Sequence, residues 1–252
     1  MPMNCAIRFE NVSVHYGGKA ALREITLAIP EKQIFGIIGP ANSGKTTLLK
    51  CINRTLEFVP AARRSGRVTV AGRDVAAYRN VYELRRGVGM VFPLPVGLPL
   101  SIYENVAYAP RRAGVHDRSV LDDLVERCLR QAMLWDEVCD RLDLLGTRLS
   151  GGQQQRLTLA RALSHRPKIL CLDEFSIAID PITTMKIEDV LLELKQEMTI
   201  VLVTNLVQQA RRLADRTAFM IAGSLIEEDE TETLFTKPAN RLTERYVNGE
   251  FG

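Results

Sequence analysis

Gly39-Pro40-Ala41-Asn42-Ser43-Gly44-Lys45-Thr46-Thr47 has the spacing G-x-x-x-x-G-K-T, and the chemistry such a segment supports is the holding of phosphate. A tight turn between a strand and a helix lets successive backbone N–H groups converge on one concavity. There the positive end of the helix dipole also favours an anion. Lys45 adds a point charge for β and γ phosphates, and Thr46 offers a hydroxyl to Mg²⁺. A turn that binds nothing needs neither Lys nor Thr at this offset, so the segment implies a nucleoside triphosphate with Mg²⁺. Asn42 stands where such loops often carry glycine. Asn tolerates left-handed backbone better than most residues, so the loop is expected to keep its shape.

Two further segments carry chemistry. Ile169 to Glu174 is an apolar run ending in paired carboxylates. Two acids at a strand end are commonly a turn; beside a phosphate loop, Asp173 is placed to hold Mg²⁺ through water and Glu174 to polarise an attacking water as general base. Leu149-Ser150-Gly151-Gly152-Gln153 opens a helical pattern. Ser150 is a good cap, and the glycines permit close backbone approach, which makes a second helix start friendly to an anion. Capping alone explains Ser150 but not two glycines and the run Gln153-Gln154-Gln155. Tyr16, beside Gly17-Gly18, could stack on a purine base or pack at a strand end.

The elements that must position these groups follow from periodicity. Residues 34–38 are an apolar run rich in Ile, and the apolar residues after Thr47 take up helical spacing, so strand, loop and helix are predicted in that order. Residues 6–14 and 25–29 alternate in part as short antiparallel strands, and 66–72 reads as another strand ending in a turn. Residues 88–92 form a buried strand, after which Pro93, Pro95, Gly97 and Pro99 permit neither helix nor regular ladder. A subdomain boundary is placed there. From 101 to about 150 the pattern is helical, with Val120, Leu121, Leu124, Val125, Cys128, Leu129, Ala132 and Met133 forming one apolar stripe. Strands at 169–174 and 199–204 are almost wholly apolar and alternate with helices, which implies a largely parallel sheet covered on both faces. A hairpin over 217–228 and a short polar helical tail over 231–252 complete the chain.

Composition bounds the alternatives. Lys and Arg number 33 against 30 acids, a net +3, so the total demands neither nucleic acid nor an anionic membrane surface as partner. With 46% hydrophobic residues the chain has ample core. Its five cysteines are odd in number and lack any C-x-x-C spacing, which argues against a disulfide framework and a zinc site and for reduced thiols in the cytoplasm. No stretch approaches the roughly 20 apolar residues needed to span a bilayer, and the N-terminus lacks a signal pattern. Membrane association is therefore expected only through a partner.

The phosphate loop, Leu-Ser-Gly-Gly-Gln and the apolar-Asp-Glu segment, in this order, resemble an ABC-transporter ATPase over essentially the whole chain. A closer resemblance is to the ATP-binding subunit of bacterial phosphate importers. It rests on Cys51 to Arg54, Glu83 to Phe92, Ser101 to Tyr108, Ala132 to Val138, Ser150 to Arg156, and the tail from Phe235-Thr-Lys-Pro238 to Gly249-Glu-Phe-Gly252. The resemblance implies an α/β P-loop NTPase fold: a RecA-like core with a mostly parallel sheet, an N-terminal antiparallel β subdomain and an inserted helical subdomain. It places core and β subdomain at 1–92 and 154–230, the helical subdomain with the signature at 93–153, and a tail at 231–252.

It also implies roles. Tyr16 would stack on adenine, and Gly39, Pro40, Ala41, Asn42, Ser43, Gly44, Lys45, Thr46 and Thr47 would hold the phosphates of ATP. Thr46 would serve Mg²⁺ directly and Asp173 through water, with Glu174 as catalytic base. Ser150, Gly151, Gly152 and Gln153 would close on the γ-phosphate of a second cassette, either another copy in a head-to-tail dimer or a different chain. Two membrane permeases and a periplasmic or extracellular binding protein complete the implied assembly, on the cytoplasmic face of the inner membrane, importing phosphate or, as the alternative, another oxyanion, with no nucleic acid involved.

Three positions depart from the family pattern. Pro93 stands where the family has a Gln that touches Mg²⁺ and the attacking water. Asn205 stands where a His grips the γ-phosphate. Phe175 replaces the usual Pro after the acid pair, and the following loop keeps Ala178 and Asp180 but has Ile177 in place of Ser. The binding half is complete and the hydrolytic half altered, so the expectation is an ATPase slower than its relatives; a regulatory cassette dependent on an intact partner is the alternative.

Overall fold

The computed structural model describes residues 4–95 and 97–251. Val96, within the predicted 93–99 break, Gly252 of the tail and the first three residues lie outside the described residues.

The chain opens with two long strands, β1 (Cys5–Tyr16) and β2 (Lys19–Pro30), joined by the Gly17-Gly18 turn and paired antiparallel. Both are longer than predicted. Register shifts between Phe9 and Val12, and again up to His15, interrupt the simple alternation on which the boundaries were read. Next come β3 (Ile34–Ile38), α1 (Lys45–Ile52), β4 (Ala62–Val70), the two-residue β5 (Arg73–Asp74), α2 (Val81–Gly87) and β6 (Val88–Val91). Strands β1, β2, β4 and β5 form a four-stranded sheet in the order β2-β1-β4-β5. β4 starts four residues before the predicted strand, in a polar arginine-rich stretch whose ladder is set by its partner β1 and not by its own hydrophobicity.

The predicted break after β6 is present. α3 (Ile102–Arg112), α4 (Arg118–Gln131) and α5 (Trp135–Val138) follow, then α6 (Gly151–Leu163), which packs on α3 and α4 and against β6. The stripe on α4 is core at Leu121, Leu124, Val125, Cys128 and Leu129, but Val120 is exposed and Met133, at φ 54°, lies past the helix end. Ala132 is buried and Met133 packs against the same core, so only Val120 of the predicted stripe faces away. α6 is continuous across the 153/154 division, because its capped start and its buried apolar face belong to one helix.

The remaining elements are β7 (Ile169–Asp173), α7 (Pro181–Leu194), β8 (Thr199–Val203), α8 (Val207–Leu213), β9 (Arg216–Ile221), β10 (Ser224–Glu230), α9 (Thr231–Thr236) and α10 (Arg241–Val247). They complete a six-stranded sheet, β10-β9-β3-β8-β7-β6, parallel throughout except for the β9–β10 hairpin. The apolar strands β3, β7 and β8 are wholly buried because alternate side chains feed two cores. Leu170, Leu172, Ile200 and Leu202 join the helices on one face; Ile169, Cys171, Val201 and Val203 meet α1 and the antiparallel sheet on the other. The α/β fold with its antiparallel sheet and mostly parallel second sheet is as read from the sequence.

The tail is less polar than predicted. Leu234 and Tyr246 are buried with Ile38, Phe219 and Ala210, and Tyr246 stacks on Phe219 with ring centroids 4.8 Å apart. No disulfide joins the described cysteines. Among the described residues no helix is long and apolar enough to cross a membrane.

Candidate functional site

β3 delivers the chain to Gly39 at the C-terminal edge of the parallel sheet, the place where open α/β sheets receive ligands. The turn that follows is possible only with glycine at its ends. Gly39 has φ 151°, and a Cβ there would lie 2.0 Å from the Met220 carbonyl oxygen; Gly44, at φ 97°, is the backbone cap of α1. Asn42 adopts φ 63°, the left-handed conformation that Asn tolerates better than most residues. No side chain caps α1, so its first N–H groups face the loop's concavity. The β9–β10 turn braces the loop from behind, Gly223 N–H donating to the Ser43 carbonyl at 3.1 Å.

Lys45 is buried and folds back on its own loop, donating to the carbonyls of Gly39 at 2.7 Å and Pro40 at 2.9 Å. Burial pushes its pKa down, and the carboxylates of Glu174 and Asp173 oppose that shift. The two carbonyls therefore hold a place that an arriving phosphate can take.

Asp173 ends β7 fully buried, and neither carboxylate oxygen has a hydrogen-bond partner. Burial pushes its pKa up; the nearby Thr46 hydroxyl, short of a full hydrogen bond, pulls the other way, and Glu174 adds to the rise. A buried carboxylate without donors is costly unless a cation meets it. That orphaned group beside the Thr46 hydroxyl fits Mg²⁺, which is commonly held by one or two protein oxygens, waters and substrate phosphates. Among the described residues no cluster of three or more His, Cys, Asp or Glu could hold a metal by itself.

Glu174 follows at φ 47°, a left-handed conformation unusual for Glu, with its N–H donating to the Val203 carbonyl at 2.8 Å. The neighbouring strand β8 ends beside it, and Asn205 Nδ2 donates to Glu174 Oε1 at 2.5 Å. Tyr16, at the end of β1, shares a 3.3 Å hydrogen bond with Thr47 Oγ1.

A cavity of about 510 Å³ is walled by Tyr16, residues 19–21, residues 41–47, Glu174 and Asn205; Gly39, Pro40 and the fully buried Asp173 lie behind its walls. Its size suits a nucleotide-sized ligand. Lys19, Ala20 and Ala21 were missed by the sequence reading; nothing in their types marks them, and only their place after the Gly17-Gly18 turn puts them there. Pro93 is not part of the cavity wall. The preceding carbonyl of Phe92 instead accepts from Gln155 Nε2 at 2.9 Å.

Ser150 to Gln153 are not among the cavity's walls either. Ser150 caps α6 by accepting from the Gln153 N–H at 3.3 Å while Gln153 Oε1 accepts from the Ser150 N–H at 3.0 Å, a reciprocal capping box. Gln153 also donates to Glu137, whose carboxylate Arg156 holds below the usual range. Gly152 lies against the Ala178 carbonyl, where a Cβ would sit 2.8 Å away. Within one chain the phosphate loop and this helix start are separate.

A family model described as ABC transporter matches residues 22–176. The chain is similar in structure to cbiO1 from Clostridium perfringens, a part of the ABC transporter complex cbiONQ, at 24% identity and TM-score 0.80 over 93% of this chain and 92% of that one. It is similar to the ATP-binding cassette MJ0796, solved as a dimer in a post-hydrolysis state with ADP and Pi, at 27% identity and TM-score 0.78 over 89% and 98% of the two chains. A bacterial Atm1-family ABC exporter with ATP bound gives 22% identity and TM-score 0.83; all of this chain is covered and 43% of that one.

Proposed function

We propose that this chain, which belongs to the ABC transporter family, is the ATP-hydrolysing subunit of an importer of inorganic phosphate. The observation that carries the ATPase reading is the proximity of Lys45, the donor-free carboxylate of Asp173 and Glu174 to one another at one phosphate loop.

Phosphates entering the loop would take the N–H groups of residues 41–47 and draw Lys45 Nζ away from the Gly39 and Pro40 carbonyls. Thr46 and Asp173 would hold Mg²⁺, which when bound neutralises charge on the β and γ phosphates. Glu174 would take a proton from the water that attacks the γ-phosphorus as the bond to the β-phosphate oxygen breaks. Asn205 would orient Glu174 and offer an amide N–H to phosphate in place of an imidazole. An amide cannot carry charge, which supports a rate below that of cassettes with His. Tyr16 would provide a face for adenine.

The phosphate cargo rests on the motifs shared with phosphate-importer subunits, from Cys51-Ile-Asn-Arg54 to the Gly249-Glu-Phe-Gly252 tail. By analogy with the dimeric cassette and the cbiONQ complex, a second cassette would supply Ser150 to Gln153 across the interface. Membrane permeases would carry the pair at the cytoplasmic face of the inner membrane, with a binding protein outside. Pro93 and the amide at Asn205 favour a second reading, a regulatory cassette that closes on ATP beside a competent partner.

Reconstitution with its permeases in vesicles tests both. ATP-dependent accumulation of phosphate that a Glu174→Gln chain cannot support is the expected result. Uptake unaffected by that change would favour the regulatory reading, and uptake of another anion alone would overturn the cargo.

A further inference from the structure

Behind the candidate site lies a buried polar group with no part in the chemistry described so far. Gln209, on α8, is 1% exposed, and its side-chain amide is fully engaged. Its Oε1 accepts from the Thr204 hydroxyl at 2.9 Å; its Nε2 donates to Ser176 Oγ at 3.2 Å and to Glu188 Oε1 at 3.0 Å. Glu188 is itself buried and accepts from Arg212 through both oxygens, at 2.9 Å each from Nη2 and 3.1 Å from Nε. Because a carboxylate held by a guanidinium accepts only, it fixes which end of the Gln209 amide faces it, leaving the oxygen for Thr204. Thr204 Oγ1 also accepts from the Leu206 N–H at 3.0 Å, closing a turn around Asn205.

The two loops so joined are the ones that matter. Ser176 lies two residues after Glu174, and Thr204 immediately precedes Asn205. Glu174 is held at φ 47°, an orientation its local sequence does not favour. Phe175, between Glu174 and Ser176, is fully buried, so the segment is pinned at that ring and at the Ser176 hydroxyl. Buried networks of this kind, with every member satisfied, rigidify what they connect.

We propose that Gln209 is a positioning residue that locks the 174–177 loop to the 204–206 loop and so maintains the register in which Asn205 meets Glu174. The role of that register in hydrolysis rests on Glu174 being the base; the lock itself does not. Gln209 is buried and not among the cavity walls, and acts through Thr204 and Ser176. Two loops held by one amide move as a pair, so a partner or permease that shifts α8 would shift the base and its orienting amide together.

The test uses Gln209→Met, which keeps the volume, removes all three hydrogen bonds and leaves Glu188 paired with Arg212. Amide hydrogen exchange on the whole chain is expected to rise in 174–177 and in 204–206 together, with residues 41–47 unchanged. Thr204→Val, which severs only one side, is expected to release 204–206 and leave 174–177 protected; it serves as the second variant if Gln209→Met folds poorly. Exchange that rises in one loop only in Gln209→Met, in neither, or in 174–177 of Thr204→Val would overturn the lock.

In parallel, ATP hydrolysis by Gln209→Met is expected to fall at least about tenfold with ATP affinity unchanged, and to fall little further when the change is made in an Asn205→Ala chain. An equal loss in both backgrounds, or a loss of ATP binding, would contradict a positioning role. Should the parent hydrolyse ATP no faster than Glu174→Gln, the reading of Glu174 as base fails, while the exchange result still decides the lock.

Discussion

Asn205 Nδ2 lies 2.5 Å from Glu174 Oε1, so the residue that replaces an imidazole binds the carboxylate proposed as catalytic base. The amide carries no charge but two N–H donors: one goes to Glu174, and the second is left to reach toward phosphate.

Removing the contact should therefore slow hydrolysis without emptying the site. A hydrogen bond to a charged group contributes roughly 1.5–3 kcal/mol, which corresponds to about tenfold to a hundredfold in rate. Asn205→Ala is expected to lose that much in kcat with ATP affinity nearly intact, and Asn205→His to exceed the parent rate. Steady-state kinetics beside equilibrium nucleotide binding checks both.

Asp173 ties stability to pH. Its native pKa lies above the unfolded value, so the native state holds the proton more tightly. Stability contributed by that proton is present at low pH and is lost as pH rises from the ordinary carboxylate range through the raised native value. Asp173→Asn is expected to unfold at higher temperature than the parent near neutrality, by on the order of 1–3 kcal/mol, with the gap closing as pH falls. Thermal melts across pH, repeated with Mg²⁺ and ATP, should show the parent gaining stability from Mg²⁺ that the variant does not.

The phosphate loop separates its glycine positions from its Asn. Gly39→Ala places a Cβ 2.0 Å from the Met220 carbonyl oxygen, so backbone must shift. A loss of at least about 1–3 kcal/mol together with ATP binding is expected. Asn42→Gly meets no such demand and relieves the φ of 63°, so melts and nucleotide titration should find it neutral or slightly stabilising.

The tail is tied to the same loop through aromatic packing. Tyr246 is buried against Phe219, and the Gly39 backbone amide lowers its phenol pKa against the upward push of burial. Tyr246→Ala is expected to cost about 3–5 kcal/mol, as large aromatic truncations do, and to weaken ATP binding; Tyr246→Phe should restore most of the stability. Denaturant unfolding of the three chains measures it.

What could be read in the sequence was what depends on residue type at fixed spacing. Gly39, Gly44, Lys45 and Thr46 are four positions of one turn, and apolar strands such as β7 and β8 announce a covered sheet by composition alone; the Ser150 cap was legible too, but not that Gln153 completes it as a capping box, which explains a Gln that the sequence reading leaves outside capping. The Asn42 backbone was legible for the same reason. Long-range relations were not. Gln209 is one polar residue in an unremarked helix, and its partners lie 5, 21 and 33 positions away. The start of β4 at Ala62 is set by pairing with β1, and the burial of Tyr246 depends on Phe219; neither leaves a local pattern. The proximity of Asn205 to Glu174 follows from β7 and β8 being neighbours in the sheet, which hydrophobicity permits but does not specify.

The most direct test of the account is Mg²⁺-dependent ATP hydrolysis by the purified chain beside Glu174→Gln, with ATP binding measured for both. The account expects slow but definite turnover in the parent, its loss in Glu174→Gln, and ATP bound by each. Equal rates in the two chains, with ATP still bound, would contradict the claim that this site hydrolyses ATP.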